Sequence, residues 1–339
     1  MTKEQIDKLV FNVEFNRNKA KAELIETHIS WVVLCDLYAF KIKRPIHYSF
    51  LDFSTLEKRK YYCEREVELN KRLTENIYID VQPVTEKGGQ YYLGGGTGEI
   101  VDYAVRMHRL DSRKQMDILL LSNSVTHEDI WKLAQKIADF HKNTTIIYQK
   151  DFLDVQEKFR DLEEERDFLE RHLKKDTSKI INNAIETSNA FMEKQKAHLA
   201  SRLKAGFFRD CHGDLHSRNI FLLPAPQAFD CIEFNDDFRQ IDVLNEVAFL
   251  CMDLDSFGRQ DLSDLFLRYY NDLFPTMKST EDKLLFVYYK SYRSNIRAKV
   301  NSLRARSAKD ETEKANALSE SAKYLQLMNS YIEQLSGTQ

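Results

Sequence analysis

The spacing of hydrophobic residues changes along this chain from about two residues to about 3.6. Residues 29–34 and 37–43 are apolar runs rich in β-branched and aromatic side chains, separated by Cys35 and Asp36. Such runs on either side of a short break predict two β-strands joined by a turn. Pro45 is expected to end the second strand, because proline cannot donate to a β-ladder.

Three further segments, residues 78–84, 90–93 and 100–107, have strand composition. Six of the ten glycines lie between residues 88 and 98. The glycine run at residues 94–98 lacks the Gly-Lys-Ser/Thr ending of a phosphate-binding loop and opens no helix, so it predicts a hairpin turn.

Helical spacing dominates elsewhere. Residues 56–73 have a helical composition, with Ser54 and Glu57 as a capping box. The other predicted helices are 130–141 with a capping box at Thr126, a charged tract at 152–203 whose acidic run 161–167 is expected to face solvent, a buried helix beginning near 242, and 284–303. The chain is therefore expected to be α+β, with a small, mainly antiparallel sheet and one long helix in residues 1–108 and a mainly helical part in 109–339.

Composition narrows the partners and the setting. The 339 residues carry a formal net charge of −3 with basic and acidic residues interspersed, which gives no argument for a nucleic-acid partner. The longest apolar stretch, residues 31–40, contains Asp36 and is too short to cross a bilayer. The five cysteines form no Cys-x-x-Cys pair. These features predict a cytoplasmic protein with reduced thiols, no membrane association and no leader segment.

The stretch 212–219 carries the clearest chemistry. Asp214 is followed by Asn219 five residues later and by Asp230 sixteen residues later. Between them, two short apolar strands at residues 220–223 and 225–229, around a Pro-marked turn, predict a hairpin that brings Asn219 and Asp230 side by side. One amide and one carboxylate oxygen suit Mg²⁺, while Asp214 is left to orient or deprotonate an attacking hydroxyl. That division of roles is typical of kinase phosphoryl transfer.

Two other interpretations of this stretch stay open at this point. Asp214 and Asn219 could serve local turn and backbone hydrogen bonds. Alternatively, His212, Asp214 and His216 could form a zinc or iron site of a metallohydrolase. The metallohydrolase interpretation leaves Asn219 and Asp230 without a role.

The sequence His-Gly-Asp-Leu-His-Ser-Arg-Asn-Ile at 212–220, followed by Phe-Asp-Cys-Ile-Glu-Phe at 229–234, resembles the catalytic and metal-binding loops of aminoglycoside phosphotransferase-like kinases. The resemblance implies a bilobal protein-kinase-like fold, with a nucleotide-binding lobe at 1–108 and a catalytic lobe at 109–339. It also implies ATP and Mg²⁺ as cofactors and a small molecule with a hydroxyl group as the acceptor.

The resemblance also implies a phosphate-binding lysine on the second predicted strand. Lys41 follows Ala39 as in the Val-Ala-Ile-Lys pattern of kinases, but Lys43 shares its face and competes for the role. Glu66 lies on the apolar stripe of the helix 56–73 and is expected to pair with Lys41. The alternative is that Glu66 belongs to a solvated acidic face.

Four further roles follow from the same resemblance. Thr27 and Ser30 would line a phosphate-covering loop that lacks glycine, and Met107 would lie in a hinge segment, 105–109, at the adenine edge. Glu246 stands where the family has an aspartate that holds the catalytic loop. Glu233, three residues after Asp230, is a candidate ligand for a second metal.

The charge of the acceptor and the type of activity each have alternative interpretations. Arg293 and Arg297 lie one helical turn apart and predict an acceptor with an anionic group, unless both belong to a solvated or inter-helix face. A protein-directed kinase-like enzyme is one rival, although no Ala-Pro-Glu segment follows Asp230. A nucleotide-binding module without catalysis is the other, against which the complete set of Asp214, Asn219 and Asp230 counts.

Overall fold

The computed structural model describes residues 1–16, 22–94, 97–173 and 176–337. These residues form two compact units. The N-terminal unit comprises Met1–Leu119 and Arg218–Phe238, and the C-terminal unit comprises Leu120–Ser217 and the chain from Arg239 onward. The segment Arg218–Phe238 therefore groups with the N-terminal unit, although it follows that unit by about a hundred positions. The functional division at residue 108 stays a prediction.

Most of the strands lie in the N-terminal unit. The strands of the described residues are β1 Glu23–Glu26, β2 Ser30–Leu34, β3 Tyr38–Lys43, β4 His47–Tyr48, β5 Leu51–Asp52, β6 Tyr78–Lys87, β7 Gln90–Leu93, β8 Glu99–His108, β9 Phe208–Asp210, β10 Ile220–Phe221, β11 Gln227–Ala228 and β12 Gln240–Asp242, of which β9 and β12 belong to the C-terminal unit. Six of them form one antiparallel sheet in the order β1-β2-β3-β8-β6-β7. The predicted hairpin at residues 29–43 and the three later strands are confirmed. The glycine run at 94–98 includes residues 95 and 96, which lie outside the described residues.

Helices account for most of the C-terminal unit. The helices of the chain are α1 Lys3–Asn16, α2 Leu56–Asn70, α3 Met116–Leu121, α4 His127–Asn143, α5 Asp154–Arg160, α6 Arg166–His172, α7 Thr177–Lys204, α8 Val243–Ser256, α9 Gln260–Leu273, α10 Thr280–Arg306 and α11 Glu311–Ser336. Helix α8 is buried on nearly every side, as its apolar sequence predicts. Among the described residues, none of the helices has the length and apolar character needed to cross a membrane.

The alternation of side chains along β3 decides what each face of the sheet carries. Ile42 belongs to the core cluster that includes α1. Ala39 packs in a second cluster with Cys63 of α2. Because successive side chains point to opposite faces of a strand, Lys41 and Lys43 share the Ala39 side, which α2 covers.

One local prediction is wrong, and another holds for most but not all of its residues. The N-cap of α2 is Thr55, which accepts from the amide of Lys58, whereas the Ser54 hydroxyl bonds Asp52. The acidic run 161–167 does not lie wholly in solvent, since Glu165 is buried and accepts from the Ser302 hydroxyl. Sequence spacing favoured the surface for this run, and packing against α10 overrides it. The capping box at Thr126 and Asp129 is confirmed.

Candidate active site

Lys41 lies between two carboxylates of the N-terminal unit. Its Nζ donates to Glu66 Oε1 at 2.9 Å and to Asp230 Oδ1 at 2.5 Å. Glu66 is fully buried, while the Asp230 side chain is 41% exposed. The predicted contact between Lys41 and Glu66 is therefore present, and the structure adds Asp230 to it.

Lys43 makes a second, deeper set of ion pairs. Its side chain is 1% exposed, and its Nζ donates to Glu66 Oε2 at 2.7 Å and to Glu233 Oε1. Glu233 is buried as well, so its carboxylate is committed to a lysine in this structure. The sequence suggested Glu233 as a ligand for a second metal and did not predict this pairing, although it placed Lys43 on the same face of β3 as Lys41.

The charged groups around Glu66 shift one another's pKa values. Burial disfavours every ionised group here, but Lys41 and Lys43 outweigh it at Glu66 and lower its pKa to about 2. Burial likewise opposes the Lys41 ammonium, but Asp230 and Glu66 raise the pKa of Lys41 well above its usual value. Burial raises the pKa of Glu233, and the neighbouring Glu66 carboxylate adds to that rise against the pull of Lys43. Glu66 is therefore the fully ionised partner that both lysines share.

The backbone of Asp230 has an unusual conformation. Its φ is +64°, in the left-handed region that residues other than glycine rarely adopt. The Asp230 amide donates to the Tyr78 hydroxyl at 3.1 Å, and the next amide, of Cys231, donates to Asn70 Oδ1 at 2.9 Å. Asn70 belongs to α2, so the helix that supplies Glu66 also holds the loop that supplies Asp230.

The predicted hairpin between residues 220–223 and 225–229 is present. β10 and β11 pair antiparallel, and the Phe229 amide donates to the Asn219 carbonyl at 2.9 Å. This bond places Asn219 across the hairpin from the residue that precedes Asp230. Asn219 and Asp230 fit a magnesium ion, because both side chains offer oxygen atoms. The charge also fits, since the carboxylates of Glu66, Asp230 and Glu233 exceed Lys41 and Lys43 by one negative charge.

Asp214 belongs to the C-terminal unit, in the loop after β9. Its side chain is 38% exposed and lies 3.3 Å from His216 Nε2. Burial alone would raise the pKa of Asp214, but His216, followed by Arg297 and His212, holds it below its usual range. The carboxylate is therefore ionised near neutral pH and able to accept a hydrogen bond from a hydroxyl.

Glu246 of α8 holds the backbone of this loop. Its carboxylate accepts from the amides of His212 at 3.0 Å and Gly213 at 2.5 Å. The support role expected of the longer side chain is confirmed. His141 completes the network, bonding Glu246 Oε2 at 2.8 Å and the Tyr270 hydroxyl at 2.7 Å, so both of its ring nitrogens are used.

The same network argues against a metal at this position. Among the described residues, His141, Cys211 and Glu246 are the one group of metal-binding side chains whose ligand atoms lie within 4.8 Å of one another. Both ring nitrogens of His141 and both carboxylate oxygens of Glu246 are engaged in hydrogen bonds. The interpretation of His212, Asp214 and His216 as a metal cluster receives no support from the described residues.

The other side chains that are predicted to contact the nucleotide make contacts within the protein. The Thr27 hydroxyl accepts from the Ser30 amide at 2.9 Å and contacts the Ser30 hydroxyl at 2.9 Å, so the two close a turn between β1 and β2. Met107 lies near the end of β8, paired with Ala39 of β3 and with Tyr78 of β6. The roles of Thr27, Ser30 and Met107 stay predictions.

Lys41→Met is expected to affect mainly ATP binding, whereas Lys43→Met is expected to affect mainly the stability of the fold. Lys41→Met should weaken ATP binding at least about tenfold with little loss of stability, because Glu66 keeps Lys43. Lys43→Met should instead lower the free energy of unfolding by about 3 kcal/mol, because Glu233 is left buried without its lysine. Calorimetric ATP titration and urea unfolding measure the two effects.

The matched control is the double variant Lys43→Met with Glu233→Gln, which removes both charges and should recover much of the lost stability. Equal losses of ATP affinity at both lysines, or a loss at Lys43 alone, would overturn the assignment of Lys41.

Comparison with known sequences finds distant relatives. No protein-family model matches the chain. Uncharacterised proteins of Mycobacterium tuberculosis strain H37Rv and of Mycobacterium bovis are each 32% identical over 294 residues, which is 84% of this chain. The match takes in 56% of each relative, so the chain spans little more than half of their length.

Comparison with solved structures identifies the fold. A choline kinase from Cryptosporidium parvum Iowa II matches with a TM-score of 0.55 at 10% identity, over 97% of this chain and 94% of that one. A Plasmodium vivax ethanolamine kinase matches with 0.53 at 10% identity, over 90% and 82%. A thermostable mutant of the aminoglycoside phosphotransferase APH(4)-Ia matches with 0.52 at 10% identity, over 94% and 98%. The kinase-like α+β fold predicted from the sequence is confirmed.

Proposed function

We propose that this chain, which has the fold of aminoglycoside phosphotransferases and of choline and ethanolamine kinases, transfers the γ-phosphoryl group of ATP to a hydroxyl of a small molecule. The observation that carries the proposal is the position of Lys41, whose ammonium bonds both Glu66 and Asp230. In kinases, a strand lysine held by a helix glutamate binds the nucleotide phosphates beside the metal-binding aspartate. The fold gives the same interpretation independently of these contacts.

The residues divide the work as follows. Lys41 binds the nucleotide phosphates, and Glu66 keeps its ammonium charged and in place. Asn219 and Asp230 would hold Mg²⁺, which when bound neutralises phosphate charge and orients the γ-phosphoryl group. Thr27, Ser30 and Met107 keep their proposed places at the phosphates and the adenine.

Asp214 acts on the acceptor. Its carboxylate accepts a hydrogen bond from the hydroxyl and aims the oxygen at the γ-phosphorus. As the new oxygen–phosphorus bond forms, the bond from that phosphorus to the β–γ bridging oxygen breaks, ADP leaves, and the hydroxyl proton passes to Asp214 and then to water. Because its pKa is held low, Asp214 acts mainly by orienting the hydroxyl and takes the proton late in the reaction.

Glu246 and Arg293 have positioning roles. Glu246 accepts from two amides of the loop that carries Asp214, and Arg293 donates to the Gly213 carbonyl at 3.1 Å. Three bonds to two adjacent residues fix the backbone immediately before the aspartate. A shift of about 1 Å at such a group can lower a rate on the order of 10²-fold.

The test is Mg²⁺-dependent ADP release measured across a panel of alcohols, amino alcohols, sugars, hydroxy acids and hydroxyl-bearing peptides. We expect stimulation by at least one small molecule and formation of its phosphate ester by mass spectrometry. Stimulation by peptides alone would favour a protein-directed enzyme. Tight Mg·ATP binding without turnover on any acceptor would favour a binding module, and absence of nucleotide binding would refute the proposal.

A further inference from the structure

Helix α10 brings two arginines, one turn apart, against the loop that carries Asp214. The first, Arg293, is buried, donating from Nε to Asn245 Oδ1 at 2.7 Å and from Nη1 to the Gly213 carbonyl. Its guanidinium also lies 4.7 Å from the centre of the Phe249 ring. Arg293 is therefore occupied in holding the loop.

Arg297 is held differently. Residues four apart on a helix project from the same face, so Arg297 lies beside Arg293 on the side of α10 that meets the loop. Its guanidinium lies 5.4 Å from the centre of the Tyr324 ring of α11. Its Nε is buried, yet finds no hydrogen-bond acceptor among the described residues. A buried guanidinium nitrogen without an acceptor is uncommon, because leaving it so costs free energy.

Asp214 is within electrostatic reach of this guanidinium. Burial opposes the ionised form of Asp214, but His216 and, after it, Arg297 lower the pKa of this carboxyl. In turn, burial opposes the Arg297 charge, but Tyr324, Asp253 and Asp214 raise the pKa of Arg297. The positive charge of Arg297 therefore acts on the carboxylate that would orient the acceptor.

Two more buried polar atoms, in the residues that follow Asp214 in sequence, lack partners within the described part of the chain. They are His216 Nδ1 and Ser217 Oγ. The Ser217 amide, by contrast, donates to Asp253 Oδ2 at 2.8 Å, so the backbone here is satisfied while the side chain is not. Unpartnered polar atoms of a buried segment are usually completed by water or by a ligand.

The charges of this region decide the kind of ligand. Asp214 and Asp253 are both carboxylates, and a cationic acceptor would be attracted without any arginine nearby. An acceptor carrying its own negative charge would be repelled by Asp214 unless a cation stood beside it. A planar guanidinium supplies that cation and offers paired donors to a carboxylate or a phosphate.

We propose that Arg297 binds an anionic group, a carboxylate or a phosphate monoester, on the acceptor whose hydroxyl Asp214 orients. This inference rests on the proposed kinase function and specifies its substrate class. The Tyr324 ring lies against the guanidinium of Arg297, and Arg293 fixes the loop that carries Asp214 through the Gly213 carbonyl.

The test compares matched acceptors that differ in charge. The pairs are glycerate with glycerol, gluconate with glucose, and glucose 6-phosphate with glucose, each titrated into the protein with Mg²⁺ and a non-hydrolysable ATP analogue. We expect at least one anionic member to bind at least about tenfold more tightly than its neutral partner. The first two pairs report a carboxylate, and the third reports a phosphate.

Variants assign the effect to one side chain. Arg297→Gln should raise the KM for the preferred anionic acceptor at least about tenfold while leaving the KM for ATP unchanged, and Arg297→Lys should recover part of the loss. Arg304→Gln, on an exposed part of the same helix, is the control and should change neither value. Thermal unfolding of each variant verifies that the fold is retained.

The outcomes separate this inference from the proposed function. Preference for neutral acceptors, unchanged kinetics in Arg297→Gln, or no binding of any anionic member by a protein that still binds Mg·ATP would each overturn the inference and leave the kinase proposal standing. Failure to bind Mg·ATP would refute the kinase proposal, and the inference would fall with it.

Discussion

Asp230→Asn is expected to lower turnover about 10³-fold and to remove most of the Mg²⁺ dependence of ATP binding. The carboxylate gives the cluster around Lys41 its excess negative charge, since Glu66 and Glu233 alone only balance the two lysines. Asparagine removes that excess and retains a single oxygen donor. It also tolerates the left-handed backbone at φ +64°, so the loop should keep its shape. Calorimetric ATP titration with and without Mg²⁺, beside a turnover assay, measures both effects.

The matched control is Asp80→Asn. Asp80 lies in the same unit, is 40% exposed against 41% for Asp230, and pairs with a cation, Arg106 Nη2, at 2.6 Å. Its replacement should leave turnover and the Mg²⁺ dependence intact. An Asp230→Asn protein whose nucleotide affinity still rises with Mg²⁺ as in the original would contradict the assignment of the metal.

Asp214→Asn is expected to lower turnover by a factor on the order of 10² to 10⁴ while leaving Mg·ATP affinity nearly unchanged. The amide matches the carboxylate in shape but cannot take the proton, and it accepts the hydroxyl hydrogen bond more weakly. Because Asp214 is assigned to the acceptor, the nucleotide should bind as before. Single-turnover phosphorylation and calorimetry on the same preparation measure the two quantities.

Asp139→Asn, on an exposed face of α4, serves as the control for loss of a carboxylate in the C-terminal unit. It should change neither quantity. If Asp214→Asn lost Mg·ATP binding while Asp230→Asn kept it, the two aspartates would have exchanged roles.

The periodicity of the sequence predicted how Lys41, Lys43 and Glu66 come together. Alternation along β3 placed Lys41 and Lys43 on one face, and helical spacing turned Glu66 toward them. Both inferences hold because strand and helix geometry are set by a few neighbouring residues. The hairpin between Asn219 and Asp230 was equally local, since a proline marks its turn.

Pairing between distant segments could not be predicted in the same way. Lys43 and Glu233 are 190 positions apart, and nothing in either neighbourhood selects that partner over Glu66 or Asp230. The N-cap of α2 shows the limit at short range. Ser54 and Thr55 have the same capping chemistry, and Ser54 bonds Asp52 instead. Glu165 shows that one residue of a charged run can be buried, because its carboxylate accepts a hydrogen bond from the buried Ser302 hydroxyl.

Lys43 gives Glu66 a contact that does not depend on Lys41. Where one lysine holds the helix glutamate, moving that lysine to the phosphates can release the helix, and the binding-competent state is then only part of the population. Here Lys43 retains Glu66 whatever Lys41 contacts, and Asn70 ties the same helix to the loop of Asp230. These two contacts hold α2 and the loop of Asp230 together independently of Lys41, so a nucleotide that took Lys41 away from Glu66 would leave them in place.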